Sequence, residues 1–246
     1  MDPLIEQHTQ AHAPHQAASP QLVLASASPR RRDLLAWLGA AYTPMANDAE
    51  EHDDPVPATV SAALPPFPLA PQQHPCLLAW RKANHAVALV PDSLVLGADT
   101  IVVLDNLVLN KPRDAAHARA MLGQLSGRTH TVYTGLCLLA PTAPASFELT
   151  ASQVEIAPLT AEQIAAYVAT GEPLDKAGAY GIQGLGGQLV RAVFGSYTAV
   201  VGLPLVAVHR LLYEEGFYGL RDPEMAYHAW LASQGKKPLP CPPAFP

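Results

Sequence analysis

Cysteine is scarce: Cys76, Cys137 and Cys241 are the three in 246 residues, too few and too scattered for a disulfide framework or a zinc site. A reducing, cytoplasmic setting suits such a chain best. Charge is thin as well, at 15% of residues with a net of -6, so no electrostatic footprint for a nucleic acid polymer is present. A local basic cluster can still meet a small anion. No apolar run approaches the roughly 20 residues that a membrane helix needs, and no membrane partner is expected. The first twenty residues, "MDPLIEQHTQAHAPHQAASP", lack the basic start and apolar centre of a secretory signal. Also missing are a Walker A loop, a G-x-G-x-x-G unit opening a helix, and the G-x-S-x-G elbow of a serine nucleophile. No internal repeat is visible.

What is present is a globular composition, 49% hydrophobic, with proline concentrated in two places. Residues 1–20 read as a loose tail, in which His8, His12 and His15 match no closed metal site. Residues 44–75 hold eight prolines, which should interrupt regular structure repeatedly. The end, "KKPLPCPPAFP", repeats that pattern within a C-terminal extension, residues 216–246. Between them, residues 21–215 read as one α/β domain. "QLVLAS" is a short strand, and "SPRRRDLLAWLG" a helix with Ser28 as N-cap, Pro29 at its first position and Gly39 as its stop. "SLVLGADTIVVLDNLVLN" reads as two strands about an Asp105-Asn106 turn. "RDAAHARAMLGQLSG" places Ala118, Met121, Leu122 and Leu125 on one helical face. Two neighbouring strands follow, then a helix with the capping box Thr160 and Gln163. A hairpin about Gly195-Ser196 and a helix opened by Pro204 complete the pattern. Several strand pairs are joined too closely for helical crossovers, so the sheet should be mixed.

One carboxylate, Asp99, interrupts the apolar run "SLVLGADTIVVLDN". A buried, unpaired charge costs several kcal/mol, order of magnitude. Either a turn at Gly97 breaks the strand, or Asp99 holds a metal or a proton for chemistry. Arg30, Arg31 and Arg32 fall in a helix's first turn, where the macrodipole disfavours cations. They make sense there beside a bound anion such as phosphate, although a solvated basic turn has the same spacing. Ser26 and Ser28 add hydroxyls at the same place. The segment "DKAGAYGIQGLGG" packs five glycines into ten residues, as in a loop that turns tightly or approaches a ligand closely. Lys82, Lys111, Glu50 and Glu51 are singly weak signals. Together, cations and a Gly-rich loop suit a polyphosphate, and Asp99 with a second acid suits Mg²⁺ or Mn²⁺.

In order and spacing, "LASASPRRRDLL", "LGADTIVVLD", "NKPRD", "LSGRTHTVYT", "DKAGAYGIQGLGG" and "YTAVVGLPL" resemble the motifs of the Maf family of nucleoside triphosphate pyrophosphatases. The resemblance runs from about residue 21 to 215. It implies a fold related to that of inosine triphosphatases: a single domain with an elongated mixed sheet flanked by helices, and two lobes around a cleft. It further implies a metal-dependent enzyme, commonly a homodimer, that releases pyrophosphate from nucleoside triphosphates. Asp99 matches the catalytic acid, as proton acceptor or metal ligand. Ser26, Arg30, Arg31, Lys82, Lys111 and Gln183 match positions lining the substrate site, and Glu51, or its neighbour Glu50, matches the second acid. The segment from Glu51 to Lys82 is longer and richer in proline than the family's usual link.

Arg30, Thr100 and Gln183 resemble the branch that acts on dTTP, UTP and some modified pyrimidine nucleotides, in which a house-cleaning role is implied. The sister branch, acting on 7-methyl-GTP, differs at all three. A nucleotide-binding regulator of septum formation is the alternative from another functional class.

Overall fold

The computed structural model describes residues 20–46 and 55–237. The sheet grows from "LVLA" at β1 (Leu22–Ala25), all four residues buried, as a strand covered on both faces requires. β1 pairs in parallel with the short β2 (Thr43–Pro44) and with β3 (Leu94–Leu104). Between them run α1 (Pro29–Trp37), α2 (Ala58–Ala63) and α3 (Pro75–Val87). Asp105 and Asn106, both at positive φ, turn β3 into β4 (Leu107–Leu109), a backbone geometry that Asp and Asn tolerate. Then come α4 (Ala115–Leu125), β5 (Thr129–Leu139), β6 (Ser146–Ile156), α5 (Ala161–Ala169), a Gly-rich series of 3-10 turns, and β7 (Val190–Phe194). α6 (Tyr197–Val201), α7 (Leu205–Glu214) and α8 (Pro223–Ser233) follow. The seven strands form one mixed sheet in the order β2-β1-β3-β5-β6-β7, with β4 joining β3.

β3 has a divided edge. β5 accompanies it on one side from Val95 to Val103. On the other side β1 pairs with Leu94 to Gly97 and β4 with Val102 to Leu104, so residues 98–101 have no neighbouring strand there. Asp99 and Thr100 sit in this gap. Because side chains alternate along a strand, Asp99 faces the α3 layer while Thr100 faces the opposite one. β3 passes straight through Gly97, which is no turn.

Gly97 serves a different end. A Cβ there would lie 2.1 Å from the Ala79 carbonyl oxygen, and one at Gly135 on β5 would lie 2.3 Å from the Cys76 nitrogen. The two glycines therefore let the backbone of α3 rest directly on β3 and β5. Ala79, Ala83 and Ala86 on the facing side of α3 are buried with Val95 and Cys137, which keeps the separation small. The larger core lies across the sheet, with Leu22, Leu24 and Leu96 against Leu34, Leu35 and Leu38 of α1. Trp230 of α8 is fully buried in that same core.

The helical face Ala118, Met121, Leu122 and Leu125 is buried as the pattern predicts, and the Thr160–Gln163 capping box forms. The hairpin about Gly195-Ser196 does not. Ser196 instead accepts a hydrogen bond from the Ala199 N–H and caps α6, so "YTAVV", β-prone by composition, is a short helix under a local cap. Cys76 and Cys137 are free and buried, burial pushing the Cys76 thiol up to about 12, while Cys241 lies outside the described residues. No helix among the described residues is long and apolar enough to cross a membrane.

Gly97→Ala tests the close approach. Overpacking against backbone typically costs about 1–3 kcal/mol, and the upper end is expected, read as a fall in the denaturant midpoint. Gly123→Ala in α4, where the added Cβ meets nothing within 4 Å, is the control and should hold or raise the midpoint.

Candidate active site

With α3 pressed onto the sheet, Lys82 is carried onto Asp99. Its Nζ donates to Asp99 Oδ1 at 2.8 Å, with the two side chains only 7% and 14% exposed. The charge in the strand is thus paired, as a buried carboxylate must be. Lys82 is a core-side residue of α3 and not the solvent-facing lysine its helix alone would suggest. Asp99 Oδ2 makes no hydrogen bond among the described residues, and Asp99 lines a cleft of about 640 Å³.

A second network reaches the cleft from the opposite layer. Arg31, also buried, donates from Nε to the Gly202 carbonyl at 2.8 Å, from Nη1 to Ser26 Oγ at 3.2 Å and from Nη2 to Thr100 Oγ1 at 3.1 Å. Thr134 Oγ1 donates to the Ala199 carbonyl at 2.8 Å and lies 2.9 Å from Thr100 Oγ1. Thr134 has spent its one proton, so Thr100 donates to Thr134 and accepts from Arg31. Ser26 Oγ accepts from both Arg31 and the Ser28 N–H, leaving its own hydrogen to point elsewhere. Ser28 occupies the N-cap position of α1, yet its side chain makes no capping bond. Arg32 turns to the Ala27 carbonyl, so two of the three arginines line the cleft and not all three.

All eight sequence-predicted residues within the described chain meet at this cleft: Ser26, Arg30, Arg31, Lys82, Asp99, Thr100, Lys111 and Gln183. Its walls differ in character. Cations gather near the N-terminus of α1, where Arg30 is 3.6 Å from Asp175 and the first turn carries no acid. Lys111 is exposed and lines the cleft too. Val102, Val132, Ile182 and Val200 supply an apolar part, and Gln183 Oε1 there is buried without a hydrogen-bond partner.

The Gly-rich segment is held by an acid of the protein itself. Glu172 accepts from the Leu185 N–H at 2.9 Å, the Gly186 N–H at 3.1 Å and the Tyr167 hydroxyl at 2.9 Å. Burial works to raise its carboxyl, but those donors and Lys176 outweigh it and hold the group below the usual value. These N–H groups are therefore spent on Glu172 and not offered to a phosphate. A Cβ at Gly184 would strike the Glu172 carboxylate at 2.3 Å, which explains one of the glycines. Sequence reasoning missed Glu172, Tyr167 and Thr134, because no local spacing links them to the loop or strand they hold.

Among the described residues no group of three or more metal-ligating side chains occurs, and Glu50 and Glu51 lie outside them. Mg²⁺ commonly takes only one or two carboxylates, with phosphate oxygens and water completing its shell. Asp99, with one oxygen uncommitted beside a cationic cleft, fits as such a ligand.

Beneath the cleft, His130 Nε2 lies 2.8 Å from the hydroxyl of Tyr180, and His130 Nδ1 is buried without a partner. Burial lowers the imidazole from 6.5 to about 4, so folding holds it neutral. Below 6.5 the unfolded chain takes up a proton that the folded one refuses, and stability falls as pH drops toward 4. Relative to His130→Phe, the wild type should lose about 2 kcal/mol more between pH 7 and pH 5, measured by urea unfolding. Parallel pH profiles for the two proteins would contradict this.

The model of the family described as Maf-like protein matches residues 21–215. A dTTP/UTP pyrophosphatase of Moorella thermoacetica is 51% identical over 193 residues, covering 78% of this chain and 93% of the relative. Proteins of the same name from Shigella boydii and Salmonella typhimurium are 49% and 51% identical over 202 residues, each covering 82% of this chain and 95% of the relative. From Ser26 at the end of β1 to Gln183 in the Gly-rich loop, the cleft is built within the matched segment, and the chain belongs to the Maf family.

Proposed function

We propose that this cleft hydrolyses dTTP and UTP to the nucleoside monophosphate and pyrophosphate. The observation that carries the reading is Asp99, paired with Lys82 at 2.8 Å on the open stretch of β3 and lining the same cleft as the cations. The relatives at about half identity, named dTTP/UTP pyrophosphatases, support the substrate class.

In this reading the triphosphate lies toward Arg30, Lys111 and the Ser26 hydroxyl, whose proton meets no acceptor among the described residues. The base enters the apolar part. Uracil and thymine carry an imide N–H, and Gln183 lines the cleft with an amide whose oxygen, buried and unpaired among the described residues, meets that N–H once the amide turns. Cytosine has no proton at that ring nitrogen. A water attacks the α-phosphorus, its proton passes to Asp99, and the bond from the α-phosphorus to the bridging oxygen breaks as pyrophosphate leaves. Positioning and electrostatic stabilisation dominate such phosphoryl chemistry. Lys82 holds the Asp99 carboxylate in place, Arg31 orients Ser26 and Thr100, and Arg30 with Lys111 offsets charge growing on the leaving group. A bound Mg²⁺ or Mn²⁺, held by Asp99 with Glu51 as second acid, would supply further neutralisation of the phosphates.

The test is pyrophosphate release from dTTP, UTP, pseudo-UTP, 5-methyl-UTP, CTP and 7-methyl-GTP, with Mg²⁺ and with Mn²⁺. Turnover of dTTP and UTP well above CTP and 7-methyl-GTP is expected, and preference for 7-methyl-GTP would overturn the substrate assignment. Asp99→Asn should lose roughly 10³-fold in turnover, within the range for a missing general base. The fold should persist, since the amide oxygen still accepts from Lys82. Near-normal pyrophosphate release by that variant would remove Asp99 from the chemistry.

A further inference from the structure

The matched family segment ends at residue 215, but the chain beyond it returns to the cleft. α8 ends in a Schellman motif: the Lys236 N–H donates to the Leu231 carbonyl and the Gly235 N–H to that of Ala232, both at 3.0 Å, with Gly235 at φ +65°. Such a cap fixes the direction of the residue that follows the glycine. Lys236 is thereby aimed at the Gly-rich loop, where its Nζ donates to the Gln183 carbonyl oxygen. The preceding carbonyl, of Ile182, accepts from the Tyr197 hydroxyl at 3.2 Å. The Tyr197 ring packs against Tyr227 and Trp230 of α8, with centroids 5.6 and 6.2 Å apart. Two successive carbonyls of the loop are thus held by groups that follow α8 directly or lean on it.

The same C-terminal turn of α8 is also tied to the opposite wall. Trp230 is fully buried and its Nε1 donates to Asp33 Oδ2 at 2.7 Å, on the helix that carries Arg30 and Arg31. One helix therefore links the cationic wall to the loop bearing Gln183. The Gln183 side-chain oxygen is buried without a partner, so its aim depends on how firmly its backbone is held. Burial lowers the Lys236 ammonium, with the Glu172 carboxylate opposing that effect, as expected for a lysine tucked beneath the loop.

We propose that the segment after residue 215 braces the base-binding side of the cleft, with Lys236 as a positioning residue that sets the Gln183 amide and so the selection of the base. This rests on the pyrimidine reading of the cleft. An amide held to within a fraction of an ångström discriminates between bases by the donor it meets, and a loosened one does not.

The test uses the full chain carrying Lys236→Met, Lys236→Arg or Tyr197→Phe. Without nucleotide, amide hydrogen exchange over residues 181–187 should quicken at least tenfold in Lys236→Met and return near wild type in Lys236→Arg. Tyr197→Phe should quicken it in the same segment. With nucleotide, Lys236→Met should lower the ratio of kcat/KM for UTP over CTP at least tenfold through a raised KM for UTP, with kcat changed less than twofold. Unchanged exchange overturns the brace. Faster exchange with the base ratio intact overturns the role of Lys236 in selection, as does an equal loss on every nucleotide together with a lowered unfolding midpoint. A wild type that cleaves no pyrimidine nucleotide refutes the substrate reading instead, while the exchange measurement still decides the brace.

Discussion

The direct contact of α3 with the sheet at Gly97 and Gly135 is the constraint from which the cleft follows. Helix and strand normally meet through side chains at both surfaces, which holds their axes about 10 Å apart. Here a Cβ on either glycine would overlap the helix backbone, so the separation is smaller. Only at that separation does Lys82, one turn along from Ala79, place its amine 2.8 Å from Asp99. Small residues on a strand, which by themselves weaken it, are here the condition for a paired charge at the base of a cleft.

The second constraint is the break in pairing along β3. Because β1 stops at Gly97 and β4 begins at Val102, successive side chains of one strand, Asp99 and Thr100, reach the same opening from opposite layers. Arg31 joins the layers, binding the β1–α1 turn at Ser26, the strand at Thr100 and the α6 end at Gly202. Its buried guanidinium binds three well-separated parts of the chain and so fixes the wall of the cleft that it lines. A Cβ at Gly202 would come within 3.4 Å of Arg31 Nε and of Thr100 Oγ1, at a φ of +123° that side chains rarely adopt.

Much of this was legible in the sequence, for identifiable reasons. Asp99 betrayed itself as a charge in an apolar run, and Arg30 and Arg31 as cations at the wrong end of a helix. The Asp105-Asn106 turn and the Thr160–Gln163 box are local chemistry that short spacing encodes fully. What escaped is long-range. Lys82 was singled out only through the family resemblance, and its pairing with Asp99 was not, because nothing near it in sequence mentions Gly97. The glycines of residues 178–187 suggested a phosphate cradle, yet the anion they wrap is Glu172, several residues upstream and unmarked by any motif. "YTAVV" was read as strand because its β-branched residues outweigh, locally, a single capping serine. Lys236 lies in a proline-rich extension with no pattern of its own, and only the end of α8 reveals where it points.

In the proposed reaction, Asp99 and the cations around it direct water to the α-phosphorus of a pyrimidine nucleoside triphosphate. Turnover of dTTP in ¹⁸O-labelled water, followed by mass spectrometry of both products, tests it most directly. One ¹⁸O in the monophosphate and none in the pyrophosphate is the expected result. Label in the pyrophosphate, or release of inorganic phosphate with a diphosphate left behind, would contradict it.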